Sequence, residues 1–176
     1  MKIKEIKLLT NNIDAVRDFY NKILDLPIIT GSNSFVTFQV GKSQLTFNKT
    51  ETIIEPYYHF AFNITEYKVL EAINWINRKG IIINKVNNND LVYSQTWNSD
   101  SIYFYDSVGN IVEFIARHNQ KNQISNEFNY WDLINISEIG LPARDVNTLS
   151  NIIQEQYKEQ VYLSSDSLFA PIGTRK

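Results

Sequence analysis

Twice along this chain a short strand-like run is followed by a helix-like run, a second strand signal and a pair of strands, and a third copy begins toward the C-terminal end. Lys4-Glu5-Ile6-Lys7-Leu8 opens the first copy, Tyr58-His59-Phe60-Ala61-Phe62 the second and Ser137-Glu138-Ile139-Gly140-Leu141 the third. Repetition of this kind constrains the fold strongly, because each copy is one supersecondary unit that must bury its apolar face against a neighbour. Two similar modules that face each other also place polar residues from both halves of the chain around one cavity.

Residues 3–9 alternate as a strand, Asn11-Asn12 supplies an N-cap, and Ile13, Val16, Phe19, Tyr20, Ile23 and Leu24 recur at helical spacing. Asp25 and Pro27 end that helix and lead into Ile28-Ile29; a turn at 31–34 is followed by β-rich runs at 35–40 and 43–47, joined at Gly41-Lys42. The second copy reads as a strand at 59–64, Thr65 as cap, and a helix whose buried stripe is Val69, Leu70, Ile73 and Ile76, closed by Gly80. A strand at 81–86, a polar loop at 87–90, and a hairpin of 101–105 with 110–116 across Asp106-Ser107-Val108-Gly109 complete it. Residues 118–130 are polar and aperiodic, which suits a linker. Beyond it come a strand at 133–141, a helix capped within 145–147 and carrying Leu149, Ile152, Ile153 and Tyr157, and strand signals at 160–163 and 168–172.

The expected class is therefore α+β: paired βαβββ modules with cupped mixed sheets, at 1–55 and 56–117, a linker at 118–130, and a truncated third module at 131–176. That third copy stops without its last strand, so some further element, such as a second subunit, has to pack on it, and a homodimer is expected.

Composition narrows the function classes. The 17 basic and 19 acidic residues leave a net charge of −2 with no Lys/Arg run, so neither nucleic acid nor a membrane surface is an expected partner. With no cysteine, disulfides, thiolate ligands and cysteine nucleophiles are excluded. No apolar run of signal or membrane-span length follows Met1, and the cytoplasm is the expected compartment.

Strand parity points to a polar face. Successive side chains alternate, so His59, Ala61 and Asn63 oppose Phe60, Phe62 and Ile64; Glu5 opposes Ile6 and Leu8; Gln44 opposes Leu45 and Phe47; and Glu113 opposes Val112 and Phe114. Glu5, Gln44, His59 and Glu113 all point away from the helices, and if the two sheets curl into a shared cup they converge. Such an N/O set suits a divalent ion such as Zn, Ni, Mn, Fe or Mg.

Glu5 through Asn12, Phe19-Tyr20, Leu24-Asp25-Leu26, His59-Phe60-Ala61-Phe62 and the run from Tyr103 to Glu113 with its Asp-x-x-Gly-Asn-x-x-Glu hairpin resemble the vicinal oxygen chelate superfamily. That group includes glyoxalases, fosfomycin-resistance proteins, bleomycin-binding proteins, extradiol dioxygenases and methylmalonyl-CoA epimerases. The resemblance implies metal positions at Glu5, Gln44, His59 and Glu113, with Glu113 as the catalytic proton shuttle in a lyase, isomerase or epimerase acting on a small oxygenated metabolite. Glu5 stands where a His is usual, which argues against ring-cleaving iron chemistry. The alternative it implies is a metal-free binding protein that sequesters a small molecule or antibiotic, with Tyr57 and Trp97 lining the pocket. Plain readings compete: His59 as a core-edge histidine, Glu5 as a solvated strand charge between Lys4 and Lys7, Gln44 as an ordinary polar-face amide. Glu138 matches Glu5 in the repeat but lacks a partner strand within its own module, and reads as structural.

Overall fold

The computed structural model describes residues 2–54, 56–120, 127–162 and 165–173; 121–126 of the expected linker and Leu163 of the strand signal at 160–163 lie outside the described residues. The chain divides into two compact units, Ile3–Ile139 and Gly140–Lys176, the latter grouped with Met1–Lys2.

In the first module β1 (Glu5–Thr10) leads into α1 (Ile13–Arg17), which widens into a π-helical turn over Asp18–Ile23, followed by β2 (Ile28–Gly31), β3 (Phe35–Val40) and β4 (Ser43–Lys49). Asn12 caps α1 by accepting from the Ala15 amide, which satisfies a helix-end donor. The sheet order is β1-β4-β3-β2, with β1 parallel to β4. The second module contains β5 (His59–Ile64), α2 (Val69–Arg78), β6 (Ile83–Asn84), β7 (Val92–Ser94), β8 (Ser99–Tyr105) and β9 (Ile111–Arg117). Its order, β5-β9-β8-β6, repeats the first strand for strand, with β5 parallel to β9 and β7 added on β8.

The helix-facing side of each sheet is the apolar core that parity predicts. Ile6, Leu8, Leu45 and Phe47 are buried with Phe19 and Tyr20 in the first module; Phe60, Phe62, Val112 and Phe114 are buried with Ala72, Trp75 and Ile76 in the second. Each buried Val, Ile, Leu or Phe among them contributes roughly 1.5–3 kcal/mol by leaving water. Two details of α2 differ from expectation. Its stripe runs through Val69, Ala72, Trp75 and Ile76, leaving Leu70 exposed, and the N-cap position falls on Lys68, three residues after Thr65. Trp75 takes the inward place because its ring stacks on Phe114 and meets Phe128 edge-on.

The opening strand of the third copy, β10 (Leu133–Ile139), pairs antiparallel with β5 and extends the second sheet. Its other edge is held by the β3–β4 hairpin: the Lys42 amide donates to the Ile134 carbonyl at 2.8 Å, and the Ile136 amide donates to Ser43 Oγ at 3.1 Å. Ser43 Oγ in turn donates to the Ile3 carbonyl. Gly41 makes the approach feasible, since a Cβ there would fall on the Ile134 carbonyl.

In the smaller unit α3 (Val146–Tyr157) is capped by Asp145, whose side chain accepts from the Thr148 amide. The two strand signals that follow meet in one antiparallel bridge, Val161 with Ile172. Among the described residues no helix is long and apolar enough to cross a membrane.

Candidate functional site

The face of the second sheet opposite α2 carries the polar groups. Register sets them in rows: Glu138 on β10 lies beside Ala61 on β5, Ala61 beside Glu113 on β9, and Glu113 beside Tyr103 on β8. One step along, Asn135, Asn63, Ile115 and Ser101 form the next row. His59 lies two residues from Ala61 on the same face.

His59 Nε2 stands 3.2 Å from Glu113 Oε2, and Tyr103 Oη donates to Glu113 Oε1 at 3.2 Å. The Glu113 side chain is only 4 % exposed while that of His59 is 39 % exposed, so the imidazole stands between the carboxylate and solvent. Among the described residues His59 Nδ1 has no hydrogen-bond partner. Glu138 is held by Arg117, whose Nη2 donates to Glu138 Oε2 and to Ser137 Oγ at 3.0 Å each, while Nε donates to Asn63 Oδ1 at 3.2 Å. Asn63 donates in turn to Asn135. The Arg117 guanidinium lies over the Trp97 ring at 5.6 Å.

These groups feel one another's charge. The hydrogen bond to Glu113 raises the His59 pKa against the opposing effect of burial, with the charges of Glu113 and Glu138 adding to it. Burial pushes the Glu138 carboxyl up, helped by Glu113 and opposed by Arg117 and His59. The Tyr103 phenol is held well above its usual value, chiefly by burial and then by Glu113.

The four residues expected to converge do not all meet. His59 and Glu113 do, but Glu5 accepts from Thr46 Oγ1 at 2.9 Å and pairs with Lys7 at 3.4 Å, and Gln44, its register partner, is exposed. The reason is topological: β10, not β1, lies alongside β5, so Glu138 is the carboxylate brought beside the second module's pair. The sequence placed Glu138 at the position equivalent to Glu5, but its pairing with β5 is a long-range event that local periodicity does not encode. Of the two expected pocket rings, Tyr57 is 74 % exposed and Trp97 already carries Arg117.

The metal set implied by the resemblance fits poorly here. His59 and Glu113 are spaced as two ligands of one ion, but Glu5 is engaged elsewhere, Glu138 is bound to Arg117, and among the described residues no three His, Asp or Glu side chains are grouped to hold a metal.

Comparison with solved structures places the architecture. The chain is similar to lactoylglutathione lyase from Agrobacterium tumefaciens, at 21% identity and TM-score 0.54 over 65% of this chain and 92% of that one. It is similar to a glyoxalase/bleomycin resistance protein/dioxygenase from Nocardioides, at 18% identity and TM-score 0.55 over 71% and 90% of the two chains. An integron cassette protein from the mobile metagenome of a Halifax Harbour sewage outfall matches at 18% identity and TM-score 0.57 over 65% and 97%. No family model and no curated protein matches the sequence. The fold is the α+β glyoxalase-like fold of these solved structures.

Proposed function

We propose that this chain binds a small oxygenated molecule at the His59 face and moves a proton on it, in a lyase- or isomerase-type reaction. One observation carries the reading: His59 is fixed through Nε2 to the buried Glu113, its side chain is 39 % exposed, and Nδ1 has no partner among the described residues. A carboxylate behind an imidazole orients the ring and stabilises its charged form. As imidazolium, His59 donates to a carbonyl oxygen; as imidazole, it accepts a proton from a neighbouring carbon or hydroxyl. Glu113, the expected shuttle, becomes the orienting partner, and His59 the group that touches substrate. The alternative of a ring sandwich for an aromatic drug has less support, because Trp97 is occupied by Arg117 and Tyr57 lies exposed.

The test is exchange of the carbon-bound protons of dihydroxyacetone in heavy water, with and without chelator. Chelator-resistant exchange above the buffer rate, lost in Glu113→Gln and His59→Asn, is the expected result. Exchange that requires added zinc or nickel transfers the site to the metal-dependent reading, for which the His59–Glu113 spacing is the supporting observation. No exchange, together with an unmoved His59 ring resonance, sinks the proposal.

A further inference from the structure

We propose that Glu138, supplied by the third copy, is the second acid–base residue of this face, taking the proton from a substrate carbon while His59 serves the neighbouring oxygens. It rests on the His59 reading above and assigns each atom its partner. Strand geometry carries it. Ile136 pairs with Phe62, so an unbroken strand would set Ser137 beside Ala61 and Glu138 beside Phe60, on the side of the apolar core. Instead the register shifts between Ile136 and Glu138, and Glu138 lies beside Ala61 on the polar face. Arg117 Nη2 records the shift, since it donates to both Ser137 Oγ and Glu138 Oε2, adjacent residues that a regular strand would turn to opposite sides. A bulge of this kind re-aims a side chain, and bulges gather beside active sites.

The re-aimed carboxylate is a neighbour of His59. As the partner of Ala61, Glu138 stands diagonally to His59, a relationship of about 7–8 Å between backbones that long side chains bridge. Each of the two lies in the other's field. Arg117 fixes the carboxylate through Oε2 alone; the side chain is 43 % exposed, and Oε1 has no partner among the described residues. Burial, with the charge of Glu113 across Ala61, raises the Glu138 pKa and makes it a stronger base than a carboxylate in water. A second carboxylate beside Glu113 costs stability, as titratable groups gathered for chemistry do. On an α-hydroxy ketone the protons balance. Glu138 takes the carbon proton, the C–H electron pair forms the C=C bond of an enediol, and the carbonyl oxygen takes a proton from the His59 imidazolium. The imidazole then takes the proton of the other hydroxyl, whose C–O becomes the new carbonyl, and the Glu138 carboxylic acid returns its proton to the former carbonyl carbon. Both groups end as they began.

Dihydroxyacetone and glyceraldehyde interconvert by this route, and proton NMR of the full chain with dihydroxyacetone follows it. In Glu138→Ala kcat is expected to fall about a hundredfold or more, the scale of general acid–base catalysis, with KM little changed and part of the rate restored by added formate. If Glu138→Ala folds badly, Glu138→Asp decides, since it keeps a charge for Arg117 but draws the base back; its kcat should fall about tenfold or more. An unchanged kcat, or a loss carried by KM alone, overturns the assignment and, with activity still lost in His59→Asn, leaves the His59 reading intact. Exchange of the carbon-bound protons by the wild-type chain without any glyceraldehyde also overturns the assignment alone. A wild-type chain that does neither takes both readings down.

Discussion

Tyr20 Oη donates to Asp106 Oδ2 at 2.7 Å, tying the π-helical turn of the first module to the hairpin turn of the second across 86 residues of sequence. Asp106 also accepts from the amides of Val108 and Asn110 and from the Asn110 side chain, so its carboxylate organises the whole turn. This is the physical content of the Phe19-Tyr20 and Asp-x-x-Gly-Asn signals in the sequence. Tyr20→Phe removes one of four donors, and about 1–2 kcal/mol of stability should be lost, read by urea unfolding. Burial raises the Asp106 pKa, and that raised value means its contribution is full below the ordinary 3.8 and fades as pH rises through the folded value.

Gly41→Ala tests the docking of β10. Gly41 has φ +53°, which costs an L-residue roughly 1–2 kcal/mol, and the new methyl meets the Ile134 carbonyl backbone. A loss of at least about 2 kcal/mol is expected. Hydrogen exchange should show β10 amides losing protection before those of β8 and β9; uniform loss speaks against a local clash.

His59 gives a pH signature. Its folded pKa lies above the ordinary 6.5 because of Glu113, so its contribution is complete below that value and disappears as pH climbs through the raised one. Ring-proton NMR should show a midpoint above 6.5, and Glu113→Gln should bring it down. Denaturant midpoints of the wild type should decline over the same interval while those of Glu113→Gln change less. An identical midpoint in both proteins refutes the pairing.

Lys68 and Asp132 form an ion pair at 3.3 Å with side chains 6% and 3% exposed. Removing one partner of such a pair leaves an uncompensated buried charge, and Lys68→Met is expected to cost about 3–5 kcal/mol by chemical unfolding. A double change to Lys68→Met with Asp132→Leu should recover a large part of that loss, since both charges then go.

Much of the fold was legible because alternation and helical spacing act locally. Phe60, Phe62, Val112 and Phe114 face α2 as parity required, and Asn12 and Asp145 cap the helices they were expected to cap. The site was legible in part: His59 and Glu113 meet, because β5 and β9 are neighbours in a repeated module. Glu138 reads as structural in the sequence, and nothing there singles out Arg117 or ties Tyr103 to Glu113. Their roles depend on which strand settles beside β5, and on an arginine side chain running back along its own strand, neither of which has a period in the sequence. The short β7 and the reduction of the expected 81–86 strand to two residues reflect pairing with β8 rather than local preference.

The clasp of β10 along β5 means that the opening strand of the third copy closes an edge of the second copy's sheet. A chain cut before Leu133 would leave the backbone amides and carbonyls of β5 bare, and another molecule's strand would find a ready template there. Domain-swapped or fibrous assemblies are then the predictable failure of truncation, with the native chain protected by carrying its own stopper.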